Sequence, residues 1–412
     1  VLPRAPRFDV KGLHLTFLEP SLKAARNELR PVVAAQVRRA APLLQQLFHD
    51  FDEVTRSEFA GGTQRDAFAR VFVHDRQALE LLAVRAGRPD FGMMTGFRGA
   101  DTVTATIPPV PAIDIVSGIW TEEALSFRPG WQDQFFAGKM KSKTSMKGVS
   151  LEEHLAQMAE AGVERAFLFA PKVGRKGLPG SFHLPYEVIA RAVEKYPGRF
   201  YAMAGIDPYE GMNGVRQLED AVKNMGFIGA HVYPHWFDLP PDHAKYYPFY
   251  AKCVELGVPI QMQVGQSMVY AKEAPMRSVG RPILLDGIAC DFPELKLIGI
   301  HVGIPWTDEM IAMAWKHPNV YIATSGHAPK YWDPKLVRFL NARGRGIGKV
   351  CWGTDYPLID HAEGLSQIAE YDLKPEAVQS LLRDVAVKLF KLDPNWTPPA
   401  SAGSSASLAA AE

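Results

Sequence analysis

Two hydrophobic patterns alternate through the middle of the chain, from residue 112 to about residue 355. Short, nearly continuous apolar runs are followed by stretches whose apolar residues recur at helical spacing. Continuous apolar runs are typical of parallel strands that are buried on both faces. The predicted strands are 112–119, 164–171, 200–207, 227–233, 258–264, 296–302, 320–325 and 349–354.

The segments between these runs predict helices. Ser150 and Glu153 have the spacing of a capping box, which opens a helix that ends by Gly162. Eight strands with intervening helices predict an α/β fold, a (β/α)8 TIM barrel, with an open doubly wound sheet as the alternative. No GxGxxG motif follows a strand, so we expect no nucleotide cofactor.

The two ends of the chain differ from the barrel region. Residues 1–111 predict a helical N-terminal arm and linker, because 21–54 and 65–85 carry apolar residues at helical spacing. The barrel is predicted over 112–392, and 393–412 predicts a flexible C-terminal tail. The arm has no catalytic spacing. We expect its apolar faces to pack on a neighbouring subunit, with packing on its own barrel as the alternative.

Composition and charge narrow the possible partners. The chain has 412 residues, 47% apolar and 22% charged, with a net charge of +1. It contains no basic run, which argues against a nucleic-acid partner. No apolar run approaches the roughly 20 residues of a membrane span, so no membrane partner is expected. The N-terminus lacks the pattern of a signal peptide, and we expect a cytoplasmic protein.

The cysteines predict no disulfide and no zinc knuckle. Cys253, Cys290 and Cys351 lie inside apolar segments and have no CxxC spacing. We expect all three to be buried and reduced.

Polar residues lie at or just beyond the carboxyl ends of most predicted strands, where TIM barrels carry their active sites. These residues are Asp114, Ser117, His231, His235, Gln263, His301, Ser325, His327 and Asp355. His301 and Asp355 are the candidate catalytic residues, although the two could simply pair with each other inside the core. Asp207 is predicted to cap the turn after the third strand.

Several of these segments, in this order, resemble the amidohydrolase-related barrels, which include aminocarboxymuconate-semialdehyde decarboxylase and the resorcylate-type decarboxylases. The resemblance covers roughly residues 112–392. It rests on the segments Ile113-Asp114, 226–234, 259–265, 297–303 and Gly353-Thr354-Asp355-Tyr356-Pro357.

The resemblance implies a metal site that is partly lost. In that family the first strand reads Ile-Asp-x-His-x-His and both histidines bind a divalent metal, but here the two positions are Val116 and Gly118. The histidine ligand of the fifth strand is replaced by Gln263, whose neutral oxygen is a poor ligand for zinc or iron. His301 matches a metal ligand or acid/base, and Asp355 matches a ligand or base.

Two hypotheses follow, with a small-molecule binding protein as a third. In the first, this barrel is the metal-poor partner subunit of a paralogous barrel that holds iron or manganese. The family includes such an arrangement in a two-subunit hydroxylase of 2-aminoisobutyrate. In the second, His231, His301 and Asp355 bind a divalent metal such as zinc, with Gln263 as a further candidate ligand. The chain would then hydrolyse or decarboxylate a small carboxylated substrate.

Overall fold

The computed structural model describes residues 110–130, 148–269 and 276–397, together with Phe135 and Lys139. By internal contacts the chain divides into two compact units, Val1–Val103 and Thr104–Glu412. The helices predicted in the N-terminal arm lie outside the described residues, so their packing stays a prediction.

Ten strands form two sheets in the described part of the chain. They are β1 Ala112–Ser117, β2 Val163–Ala170, β3 Lys172–Val173, β4 Phe182–His183, β5 Phe200–Gly205, β6 Phe227–Val232, β7 Ile260–Gln263, β8 Leu297–Ile300, β9 Val320–Ala323 and β10 Val350–Cys351. The order β1-β2-β5-β6-β7-β8-β9-β10 makes the large sheet, and all of its paired neighbours run parallel. β3 and β4 form a separate antiparallel hairpin.

Backbone hydrogen bonds join the first and last strands of this sheet. Ile115 N donates to Trp352 O at 3.2 Å, and Asp355 N donates to Val116 O at 2.8 Å. The sheet is therefore a nearly closed barrel, which confirms the predicted (β/α)8 architecture. All eight predicted strands are present, each overlapping an observed strand of the barrel.

Helices cover the outside of the barrel. They are α1 Glu122–Ser126, α2 Leu151–Ala161, α3 Tyr186–Lys195, α4 Gly211–Asn224, α5 Tyr247–Leu256, α6 Leu285–Asp291, α7 Thr307–Lys316, α8 Pro334–Leu340, α9 His361–Ala369, α10 Pro375–Gln379 and α11 Val385–Phe390. The predicted capping box is present at α2, where the Ser150 side chain accepts from Glu153 N and the Glu153 side chain accepts from Ser150 N. Gly162 ends this helix in the left-handed conformation that glycine adopts without strain.

Apolar side chains fill one end of the barrel. Ile113, Phe167 and Ile298 belong to a buried cluster that also includes Phe390 of α11. Residues 393–397, the start of the predicted tail, contact this end: Arg165 donates to Asp393 O at 2.8 Å, and its guanidinium lies over the Trp396 ring. A cleft is left at the opposite end, beyond the carboxyl ends of the strands. Among the described helices, none combines the length and the apolar character needed to cross a bilayer.

Candidate functional site

His301 and Asp355 lie together at the carboxyl ends of β8 and β10. The distance between His301 Nε2 and Asp355 Oδ2 is 3.4 Å. Both residues have left-handed backbones, with φ of 69° and 57°. Such a conformation costs about 1–3 kcal/mol in a residue other than glycine and is concentrated at functional sites. The structure places both residues at one barrel mouth, as the sequence predicts, and their catalytic role stays a prediction.

Neighbouring residues fix the orientation of the His301 ring. The Gln263 amide nitrogen lies 3.2 Å from His301 Nδ1. When it donates to Nδ1, the proton of a neutral imidazole is on Nε2, the nitrogen nearest to Asp355. Gly326 provides the space for the ring, since a Cβ at that position would lie 2.8 Å from His301 Cδ2.

The first strand holds the loop that carries Asp355. Asp114 Oδ1 accepts from Thr354 N at 3.1 Å and from Val116 N at 3.0 Å. Its Oδ2 accepts from the Thr354 hydroxyl at 2.5 Å and from His361 Nε2 at 3.0 Å. Asp114 is fully buried, and these four donors satisfy its carboxylate. This carboxylate therefore supports the backbone immediately before Asp355.

His231 lies beneath the cleft rather than on its surface. Its side chain is fully buried and stacks on Phe169, with 4.7 Å between the ring centres. His231 Nδ1 is 2.8 Å from Gln261 Oε1, and the Gln261 amide nitrogen donates to Ile115 O at 2.6 Å. Burial lowers the pKa of His231 to about 4, so the imidazole is neutral near pH 7.

The predicted metal ligands do not form a compact group in this conformation. In the described part of the chain, two sets of three side chains place one ligand atom each within 4.8 Å of the others. These sets are Asp286, Cys290, His317 and His183, Asp207, Glu210. The combination of His231, His301 and Asp355 is not among them, and as a ligand set it stays a prediction.

The first strand leaves no room for its missing histidine. A Cβ at Gly118 would lie 2.6 Å from Tyr356 O and 2.7 Å from Trp120 Nε1, closer than real Cβ contacts. The same glycine donates its N–H to Tyr356 O at 2.9 Å. Position 118 is therefore closed by the segment that follows the last strand.

An aromatic cleft opens above His301 and Asp355. Its volume is about 800 Å³, including the solvent-filled space at its mouth, which is within the size range of small-molecule sites. Arg128 lines it, with its guanidinium 4.0 Å from the centre of the Trp120 ring and 5.4 Å from that of the Phe182 ring. Burial lowers the pKa of Arg128 to about 10, with Tyr233 and Asp355 opposing the shift, so it is charged near pH 7.

Arg128 was not among the residues predicted from the sequence. It follows α1 in a loop after the first strand, where its sequence neighbours carry no motif. The length of that loop was the available signal, because long loops at the carboxyl ends of barrel strands commonly line active sites.

The β3–β4 hairpin forms one wall of the cleft. Val173 and Phe182 line the cleft. The ammonium group of Lys172, also in the hairpin, lies 2.5 Å from Glu210 Oε2 and 2.7 Å from Gln217 Oε1. This buried ion pair fastens the hairpin to α4 and the short turn before it.

Two other predicted residues have local roles. Asp207 caps the turn after β5, accepting from Tyr209 N at 2.8 Å, as its sequence position predicted. His235 is buried, and its Nδ1 accepts from Val279 N at 3.1 Å. Ser117 and Ser325 are also buried near the strand ends.

A family model described as amidohydrolase matches residues 124–392 of this chain. The chain belongs to the amidohydrolase family. The match covers most of the barrel, including β2 to β10 and the His301–Asp355 pair.

Two kinds of relative match this amidohydrolase-family chain. The gamma-resorcylate decarboxylase of Rhizobium sp. (strain MTP-10005) is 24% identical over 264 residues, which are 50% of this chain and 75% of that enzyme. The 2-keto-4-carboxy-3-hexenedioate hydratase of Sphingobium sp. is 31% identical over 159 residues, 34% of this chain and 46% of that enzyme.

Solved structures share the fold. The 5-carboxyvanillate decarboxylase of Novosphingobium aromaticivorans, crystallised with manganese, has a TM-score of 0.53 at 19% identity and covers 71% of this chain and 100% of its own. An uncharacterised TIM-barrel protein of Bordetella bronchiseptica has a TM-score of 0.54 at 20% identity, covering 68% and 98%.

Proposed function

We propose that this chain decarboxylates a small, planar, carboxylated substrate in the aromatic cleft. The observation that carries the proposal is the His301–Asp355 pair, 3.4 Å apart at the floor of a cleft that also contains Arg128. The cleft thus combines a proton-bearing group, a carboxylate and a cation. We therefore favour the second of our two hypotheses, a catalytic chain, over the first, a metal-poor partner subunit.

The cleft favours a flat anion. Phe169, Trp120 and Tyr233 line it with aromatic surface on which a conjugated ring can stack. Arg128 presents a planar guanidinium that matches a carboxylate in two parallel hydrogen bonds. The nearby Trp120 and Phe182 rings lower the local dielectric constant around the Arg128 charge and so strengthen its interactions.

His301 is the proposed acid. The proton held between His301 Nε2 and Asp355 Oδ2 is transferred to the substrate carbon that bears the carboxylate, which leaves a neutral imidazole beside the Asp355 carboxylate. The carbon–carboxyl bond then breaks, its electron pair returns to the ring, and carbon dioxide leaves. His301 regains a proton from solvent. One proton is consumed for each molecule of carbon dioxide released.

The cleft has donors for one divalent metal, although not those of the family pattern. Val116 and Gly118 supply none, while the Asp355 carboxylate and the Gln263 Oε1, a buried oxygen without a hydrogen bond, are available. Hard oxygen donors suit Mn²⁺ better than Zn²⁺. Asp355 and Gln263 would hold the ion, which would supply a Lewis acid for substrate oxygens.

The comparisons support a decarboxylase more than a hydroxylase subunit. The names of the gamma-resorcylate and 5-carboxyvanillate decarboxylases give carboxylated aromatic compounds as their substrates. The second was crystallised with manganese. This chain has the same barrel.

The test is carbon dioxide release from 2,6-dihydroxybenzoate and 5-carboxyvanillate, with and without Mn²⁺. We expect turnover of at least one of these or of a close analogue. Arg128→Gln should raise KM or abolish turnover, whereas Arg175→Gln, at an exposed arginine that stacks on Tyr209 outside the cleft, should change neither. His301→Gln should abolish turnover but leave binding of 4-hydroxy-3-methoxy-5-nitrobenzoate measurable by calorimetry. Full activity of His301→Gln would overturn the proposal.

A partner subunit remains the second candidate, favoured by one observation. Val116 and Gly118 replace the two histidine ligands of the family pattern, and position 118 has no room for a side chain. A catalytic paralogue would then supply the metal. Native mass spectrometry after co-expression with a related barrel tests it: a complex with activity that the single chain lacks supports this candidate, and a single chain with full turnover contradicts it.

A further inference from the structure

Three side chains that can bind a soft metal converge at the end of the barrel opposite to the cleft. Asp286 and Cys290 are four residues apart on α6, a spacing that places them on the same face of a helix. His317 directly follows α7. One ligand atom from each of the three lies within 4.8 Å of the other two.

The three residues combine access with a fixed ligand. Cys290 is exposed, so the prediction that all three cysteines are buried is wrong for this one. It lies at the carboxyl end of α6, where the helix surface meets solvent rather than the barrel. His317 is buried, and its Nε2 is 2.7 Å from Asp286 Oδ1. An ion can approach from the sulfur side while the surrounding protein holds the imidazole.

We propose that Asp286, Cys290 and His317 form a binding site for Zn²⁺ or a divalent cation of similar softness, with solvent completing the coordination. Sulfur, nitrogen and oxygen donors are the zinc ligands of proteins. Their bond lengths place neighbouring ligand atoms of a tetrahedral shell roughly 3.3–3.7 Å apart. Closing the group to this size requires rotation of the Cys290 and Asp286 side chains, both of which lie on the helix surface. The thiolate selects Zn²⁺ over Mg²⁺ and Mn²⁺.

A lysine competes with the ion. Lys316 Nζ lies 2.5 Å from Asp286 Oδ1, so metal binding must displace this ammonium group. Lys316 is more than half exposed and can turn into solvent. An exposed ion pair of this kind contributes little to stability. The site is therefore expected to bind more tightly when Lys316 is removed.

The site is independent of the cleft. Cys290 precedes β8 and His317 precedes β9, so both lie near the amino ends of strands, whereas His301 follows the carboxyl end of β8. An ion bound here would join the C-terminal parts of α6 and α7. It would not contact substrate, and its binding does not depend on the proposed decarboxylation.

Cobalt absorption provides a specific test with the full-length protein. A thiolate bound to Co²⁺ gives a charge-transfer band in the near ultraviolet, which oxygen and nitrogen ligands do not give. The chain has three cysteines, and Cys253 and Cys351 are fully buried. Burial raises the pKa of the Cys253 thiol to about 12 and raises that of Cys351 as well, so both stay neutral. We expect a band that saturates at one ion per chain and disappears when Zn²⁺ is added.

Four variants locate the ion. Cys290→Ser, at an exposed position, should lose the band while the circular dichroism spectrum is unchanged, and His317→Gln should lose it as well. Lys316→Gln should lower the Co²⁺ concentration at half-saturation. Asp291→Asn, at the next carboxylate of the same helix, should bind like the wild type. No band in the wild type, a band retained in Cys290→Ser, or a band lost in Asp291→Asn would each overturn the proposal.

Discussion

Asp114 accepts two hydrogen bonds from Thr354, one from the backbone N–H and one from the side-chain hydroxyl. The two residues belong to opposite ends of the barrel sequence, yet their contact fixes the segment that leads into Asp355. Asp355 has a left-handed backbone, which neighbouring structure must hold in place. The carboxylate of the first strand therefore positions the carboxylate that follows the last strand.

Removal of the Asp114 carboxylate should be strongly destabilising. In Asp114→Ala the Thr354 and Val116 N–H groups lose their buried acceptor and His361 loses its partner. We expect the free energy of unfolding to fall by about 3–5 kcal/mol, as measured by denaturant unfolding. The control Asp333→Ala removes an exposed helix cap on α8 and should cost about 1 kcal/mol. Equal losses in the two variants would contradict the role given to Asp114.

Substitution of Gly326 should separate activity from stability. Gly326→Ala and Gly344→Ala both place a side chain on a left-handed backbone, with φ of 74° and 73°, and each should cost about 1–2 kcal/mol. A Cβ at Gly326 also meets the His301 ring at 2.8 Å, whereas one at Gly344 meets nothing within 4 Å. We expect similar changes in unfolding free energy, with a loss of kcat confined to Gly326→Ala. Unchanged turnover of Gly326→Ala would contradict the prediction, because it would mean that moving the His301 ring does not affect catalysis.

The histidines of the family pattern should not be restorable by substitution alone. In the double variant Val116→His and Gly118→His, the histidine at position 118 would clash with Tyr356 O. The backbone around position 118 and the segment that follows the last strand must then move apart. We expect a lower melting temperature and no gain in affinity for Mn²⁺, measured by calorimetry. The single variant Val116→His is the control for the change at the neighbouring position. A double variant that folds normally and binds Mn²⁺ more tightly than the wild type would refute the claim that position 118 has no room for a side chain.

His235 should contribute to acid sensitivity. Burial, with His301 adding to it, lowers the pKa of His235 from 6.5 to about 4. Between pH 6.5 and 4 the unfolded chain therefore takes up a proton that the folded chain does not, and the free energy of unfolding falls as pH decreases. His235→Gln should reduce this fall, measured by denaturant unfolding at pH 7 and pH 5. Substitution of the partly exposed His243 with Gln is the control, and an equal effect there would contradict the assignment.

The fold could be predicted from the sequence because most barrel strands are nearly continuous apolar runs. Such runs can be recognised directly in the sequence. A polar residue at the carboxyl end of a strand then lies at one mouth of a parallel barrel. His301 and Asp355 were found in this way. Asp207 could also be assigned, since a cap depends on a local turn.

The rest of the site depends on contacts that are distant in sequence. His231 has the correct strand position, but stacking on Phe169 and pairing with Gln261 keep it beneath the cleft, and no local pattern indicates this. Arg128 lines the cleft beside the Trp120 and Phe182 rings, which come from segments distant in sequence. Cys290 is exposed because it lies near the carboxyl end of α6, on the side of the helix that faces solvent, and its sequence neighbours do not indicate which side that is.

The contact between Gly118 and Tyr356 O bears on how this barrel could have diverged. Glycine at this position lets the backbone that follows the last strand approach closely and accept a hydrogen bond from Gly118 N. A histidine introduced at position 118 would meet this occupied space and destabilise the barrel. Position 118 is therefore constrained to glycine, and evolutionary change in the cleft is expected at other residues, such as Gln263 and Arg128.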